Sequence, residues 1–231
     1  MTTLLEGRDL GAIRGETILF KGLGVHVDEG EVVRLAGPNG SGKTTLLKML
    51  AGLREPDFGE VLWNDKPTTR QRSEWHDAML FIGHKTGISP ELTAPENLAL
   101  WGGLRDSDAA SRVDAAMAEL DIARLASIPV AALSAGQKQR VALCRLVLCP
   151  AQLWLLDEPL TALDAAGQEW LEERLLQHAE TGGAAIVSTH QSFAENNPRV
   201  RLFSLGDNAR VVDDGDDYLD DHPADRPSDS H

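Results

Sequence analysis

Residues 37–45 read Gly37-Pro38-Asn39-Gly40-Ser41-Gly42-Lys43-Thr44-Thr45. Small residues precede a cation and hydroxyls, in the spacing of the P-loop. Phosphates are dense anions. A backbone that wraps them must bring its N–H groups close, which glycines allow and larger side chains block. The helix that follows adds its positive end. Lys43 suits the β/γ-phosphates of a nucleotide, and the Thr44 hydroxyl suits Mg²⁺. Residues 153–158, Leu-Trp-Leu-Leu-Asp157-Glu158, read as a buried strand that ends in two carboxylates. Asp157 is placed to hold Mg²⁺, through water, and Glu158 to polarise an attacking water. Between these motifs lies Leu133-Ser134-Ala135-Gly136-Gln137. Ser134 can cap a helix whose first turn, with Ala135 and Gly136, leaves the backbone accessible. That makes a second phosphate-binding helix end.

The elements that position these groups follow from periodicity. Short apolar runs broken by glycines over residues 1–36 predict a small antiparallel sheet leading into a buried strand over 32–36. A helix is predicted over about 42–53, and strands over 60–63 and 78–82. Residues 87–150 are rich in Ala and Leu and read as a helical insertion. Thr93-Ala-Pro-Glu96 marks one helix start, and 111–120 reads as another helix. Strands return at 153–156 and 184–188 with a helix over 168–180 between them, which implies parallel crossovers and an α/β fold. The organisation predicted is one domain over 1–215 and an acidic disordered tail over 216–231.

Composition narrows the partners. The net charge is −14, and the stretch after Gly206 holds nine Asp against two Arg. Such a field disfavours nucleic acid. No run approaches the ~18 apolar residues of a membrane span, and the N-terminus is not a signal peptide. A cytoplasmic chain that reaches any membrane through a partner is expected. Cys144 and Cys149 lack the spacing of a disulfide framework or zinc site.

Taken together, the motifs resemble the nucleotide-binding domains of ABC ATPases. The likeness covers about residues 4–206 and runs in family order: P-loop, LSAGQ, LLDEP, Thr161-Ala-Leu-Asp164, Ser188-Thr-His190. It implies a P-loop NTPase (RecA-like) core with an N-terminal antiparallel β region and an inserted α-helical subdomain. It implies ATP and Mg²⁺, and a head-to-tail homodimer in the ATP state. In that family the serine and glycine matching Ser134 and Gly136 contact the γ-phosphate held by the other subunit. Gln137 completes that signature. Asp164 resembles the loop residue that links the two sites. His190 resembles the switch histidine that touches the γ-phosphate and orients Glu158.

Three positions depart from the family pattern. His84 stands where a glutamine meets Mg²⁺ and the attacking water. Ala135 replaces a commoner glycine. No aromatic lies between Asp9 and Ile18 to stack on adenine, leaving Phe20 or Arg14 as candidates. Gly83-His-Lys-Thr-Gly87, the Thr17–Leu23 run and Thr189-His-Gln191 resemble the ATP-binding export proteins of cytochrome c biogenesis. That likeness implies integral membrane partners, a place at the cytoplasmic face of the inner membrane, and haem export or release. Nothing in the residues themselves points to haem.

Overall fold

The computed structural model describes residues 2–103 and 108–206. The acidic tail predicted for 216–231 lies outside these. Two sheets organise the chain. Strands β1 (Thr3–Arg14), β2 (Thr17–Asp28), β4 (Phe58–Trp63) and β5 (Lys66–Pro67) form an antiparallel sheet in the order β2-β1-β4-β5. Strands β3 (Val32–Ala36), β6 (Met79–Ile82), β7 (Leu153–Asp157), β8 (Ala184–Ser188) and β9 (Val200–Ser204) form a parallel sheet in the order β6-β7-β8-β3-β9.

The central parallel strands β7 and β8 are buried along their whole length because both faces are covered. Successive side chains point to opposite faces, and each strand feeds two cores. Leu153 and Leu155 of β7 join Val33, Leu35 and Ile186 in a core shared with the antiparallel sheet and helix α1 (Lys43–Leu50). Trp154 and Leu156 join Ala185 and Val187 in a core shared with α3 (Ala94–Gly103), α4 (Val113–Glu119), α5 (Ala135–Leu143), α6 (Arg145–Leu148) and α7 (Ala165–Glu180). Helix α2 (Arg72–Ala78) leads into β6.

Several elements differ from expectation. Helix α1 stops at Leu50, because Gly52 turns left-handed (φ 70°) and its N–H returns to the Met49 carbonyl. Helix α7 starts a turn early, capped by Asp164, whose carboxylate accepts from the Gly167 N–H at 3.0 Å. The helix after Ser134 is divided at Cys144. Strand β9 had no expectation. It flanks β3, its residues are mostly half-exposed, and Leu202 faces solvent.

Candidate active site

The candidate residues sit at the carboxyl ends of β3, β6, β7 and β8, the edge where open parallel sheets take ligands. After β3 the loop turns sharply at Gly37 (φ 148°), where an added Cβ would lie 2.5 Å from the Leu205 carbonyl oxygen. Helix α1 then begins at Gly42 with no side-chain cap. Its first N–H groups are thus left for an external acceptor. The Ser41 hydroxyl, inside the same loop, is buried without a partner. Pro38, Asn39 and Gly40 form the exposed crest of the loop.

Lys43 is 7% exposed, and its ammonium donates to the carbonyls of Gly37 (2.7 Å) and Pro38 (3.2 Å). Thr44 donates through Oγ1 to Asp157 Oδ1 at 3.2 Å. Ser188 Oγ donates to the same oxygen at 2.7 Å. Asp157 is buried, and its other oxygen, Oδ2, has no partner. A buried carboxylate oxygen left free beside a threonine hydroxyl is a hard-oxygen arrangement that fits Mg²⁺, which binds through few protein oxygens and takes the rest from water and phosphate. Thr45, half-buried, continues the first turn.

Glu158 holds φ 52°, a left-handed conformation that is strained for a side-chain-bearing residue. Its N–H is fixed by both the carbonyl and the hydroxyl of Ser188, each at 3.0 Å. Ser188 thus ties the two carboxylates together. It lies in the Ser188-Thr-His190 run, but its own role was not read from sequence. His190 Nε2 stands 3.3 Å from Glu158 Oε1 and 3.4 Å from Lys43 Nζ. One ring nitrogen cannot donate to the carboxylate and accept from the ammonium at once, so the ring is shared between two demands.

The signature helix end lies elsewhere. Ser134 forms a full capping box: its hydroxyl accepts from the Gln137 N–H at 3.3 Å, and Gln137 Oε1 accepts from the Ser134 N–H at 2.9 Å. Gln137 is therefore turned back onto its own helix. Gly136 packs so tightly that an added Cβ would lie 2.6 Å from the Ala162 carbonyl oxygen. Asp164 pairs with Arg140 at 2.6 Å. That hydrogen bond, then the Gly167 N–H, holds its carboxyl below the usual range. These residues border an open groove of about 320 Å³ with Asp121, Ile122 and Arg124. Arg140 and Ala162 were not singled out from sequence; neither carries a motif of its own.

Two expectations meet a different arrangement. Phe20 is 2% exposed, wedged against Gly42 in the core, and cannot stack on a base. Arg14 is exposed at the hairpin between β1 and β2. His84 is exposed just past β6, which pairs with β7 through Ile82 and Leu156, but it makes no hydrogen bond to the cluster.

A family model described as ABC transporter matches residues 20–161. The cytochrome c biogenesis ATP-binding export protein of Vibrio cholerae is 45% identical over 88% of this chain and 99% of its own. The protein of that name from Escherichia coli K12 is 46% identical over 87% and 96%. The chain belongs to the ABC transporter family, among the cytochrome c biogenesis ATP-binding export proteins. Among solved structures, an ATP-binding subunit of an ABC transporter is 30% identical, with a TM-score of 0.73 over 81% of this chain and 79% of that one. A dimeric ATP-binding cassette in a post-hydrolysis state, bound to ADP and Pi, is 25% identical, with a TM-score of 0.73 over 88% and 95%. The fold is the ABC ATPase fold, and as an ABC ATPase the chain binds and hydrolyses ATP. Among the described residues no helix is long and apolar enough to cross a membrane.

Proposed function

We propose that this chain powers haem export or haem release during c-type cytochrome biogenesis, as an ATPase homodimer docked on integral membrane subunits at the cytoplasmic face of the inner membrane. The observation that carries this reading is the conjunction of two things. The cluster around Asp157 and Lys43 has the groups ATP hydrolysis needs. The likeness to cytochrome c biogenesis export proteins runs over 87–88% of the chain. The strongly acidic chain suits a protein partner better than nucleic acid. We read residues 1–215 as one ATPase domain, with 87–150 as its helical arm.

In this reading Gly37 to Thr45 wrap the phosphates, and Lys43 exchanges its loop carbonyls for the β/γ-phosphates. Thr44 and Asp157 hold Mg²⁺, which supplies charge neutralisation at the phosphates. Glu158 accepts hydrogen bonding from the attacking water and draws on its proton. His190 holds the Glu158 carboxylate and reaches the γ-phosphate, while Lys43 moves to the nucleotide and relieves the shared ring. His84, when neutral, offers a ring nitrogen near the water, as the commoner glutamine offers its carbonyl. Ser134 and the first-turn N–H groups around Gly136 complete the partner's site. The Asp164 cap sets the loop between the two sites. Arg14 is the side chain left to cover the adenine.

The test is deletion of the gene followed by complementation. Covalently bound haem in c-type cytochromes should vanish, return with the wild-type chain, and not return with Lys43→Ala. Tagged wild-type protein should bring integral membrane proteins through detergent extraction. Cytochromes that mature normally in the deletion strain would refute the assignment.

A further inference from the structure

The loop that carries His84 is held from the helical side. Arg145 Nη2 donates to the Thr86 carbonyl at 3.0 Å, and Trp101 Nε1 donates to the Gly87 carbonyl at 3.2 Å. The two side chains also meet: the guanidinium lies 4.7 Å from the Trp101 ring centroid, a cation–π contact. Arg145 is 2% exposed, and no carboxylate among the described residues pairs with it. Burial pushes its pKa down to about 10, so it remains charged at neutral pH. Its Nε–H goes to the Ala142 carbonyl at 3.1 Å.

Burying a guanidinium without a carboxylate is costly, and backbone carbonyls with an aromatic face are what offset that cost here. A surface tie to the loop would not require it. The anchor is also stiff. Cys144 keeps helical angles (φ −53°, ψ −25°), its N–H donates to the Arg140 carbonyl, and its own carbonyl accepts from Leu148. The backbone therefore keeps helical angles across the division between α5 and α6 at Cys144, and Arg145 lies about 16 Å from the Ser134 cap at 1.5 Å per residue. Trp101 stands on a separate helix, α3, so residues 86 and 87 are gripped from two elements.

We propose that Arg145 and Trp101 are positioning residues that set the 83–87 loop, and through it place His84 at the attacking water. This rests on the role given to His84 above. Neither residue touches nucleotide. Their effect should fall on turnover rather than on ATP binding.

The experiment uses the full chain in complex with its membrane subunits. Trp101→Phe removes the N–H to Gly87 and keeps a ring under the guanidinium. Arg145→Lys keeps the charge and loses the fork. Each is assayed alone and combined with His84→Ala, which has no acceptor to offer the water, for kcat, KM for Mg-ATP and Tm. Expected for each single variant is a kcat lower by roughly three- to tenfold, the scale of one lost buried hydrogen bond. KM should stay within about twofold. Each double variant should be no slower than His84→Ala alone, because one route cannot be cut twice. Trp101→Phe is a mild change that keeps its ring packing, so a fold defect confined to the Arg145 variant leaves the test intact. Multiplicative losses in the double variants would overturn the proposal. So would wild-type kcat in both single variants, or slow clamp variants beside a His84→Ala chain at full rate. Wild-type turnover in Lys43→Ala would instead remove the site reading itself, a distinguishable outcome.

Discussion

The β3–β7–β8 edge and the start of helix α5 both gather groups suited to phosphate, and they are satisfied in opposite ways. At the sheet edge every charged group already leans on another. Lys43 is bonded to its own loop, Thr44 and Ser188 converge on one oxygen of Asp157, and His190 lies between Glu158 and Lys43. At the helix start the serine caps its own helix, but Ser134 and Ala135 are exposed beside an open groove. The first region gathers its groups within one chain. The second has the form of half a site, whose other half belongs in the proposed dimer to a second copy. A close-packed cluster tolerates no loss of a member. An open helix end loses function only where something docks on it.

The largest effect expected is at the sheet edge. Lys43→Ala should lower ATPase activity by ~10²–10³ or more, the scale of removing one preorganised charge-stabilising donor. A steady-state phosphate-release assay checks this, and turnover near wild type would end the distinction between the two regions. Ser134→Ala should act on two levels. Loss of the cap should cost about 1 kcal/mol, lowering the Tm of the chain by about 2–4 °C. Turnover should fall by roughly ten- to a hundredfold, as for a lost hydrogen bond to a charged group. Mixing Ser134→Ala with Lys43→Ala chains sharpens the comparison, since each mixed dimer regains one intact composite site. Partial recovery of activity on mixing is expected. A mixture no faster than its two components would place Ser134 in its own chain's site.

A smaller effect lies away from both regions. Burial lowers the pKa of His178, stacked 3.7 Å from Trp154, from the ordinary 6.5 to about 4. Between these values the unfolded chain binds the proton and the folded one does not. Stability from the neutral ring is therefore fully present above pH 6.5 and is lost as pH falls toward 4. His178→Phe keeps the stack and removes the titration. Its Tm should fall less steeply than wild type from pH 6.5 to 4, with turnover at pH 7.5 unchanged. Parallel Tm profiles would show that the ring does not titrate in this window.

What was legible in the sequence was whatever carried its own physical signature. Strands β7 and β8 are buried on both faces, so their apolar runs stand out without alternation. The loop at Gly37 and the cap at Ser134 are written in residue types that few other settings require. Strand β9 escaped because an edge strand with Leu202 in solvent has neither signature. The end of α1 escaped because the apolar run continues to Leu53 while the backbone reverses at Gly52. Phe20 looked available because position along the chain does not reveal that its ring fills the space beneath Gly42. Arg145 escaped for the opposite reason. An arginine in a mixed helix reads as solvated, and only the fold shows it buried against Trp101 and the Thr86 carbonyl.

In the proposed dimer, the interlocked groups of one chain are completed by the open helix end of another. Glu158→Gln tests it most directly. The amide cannot accept a proton from water as the carboxylate does, so hydrolysis should slow by ~10²–10⁴ while binding is retained. Trapped ATP should then hold two chains together. Light scattering of the purified variant should give the monomer mass with ADP and twice that mass with saturating Mg-ATP. A variant that binds ATP by fluorescence titration and still scatters as a monomer would contradict the claim.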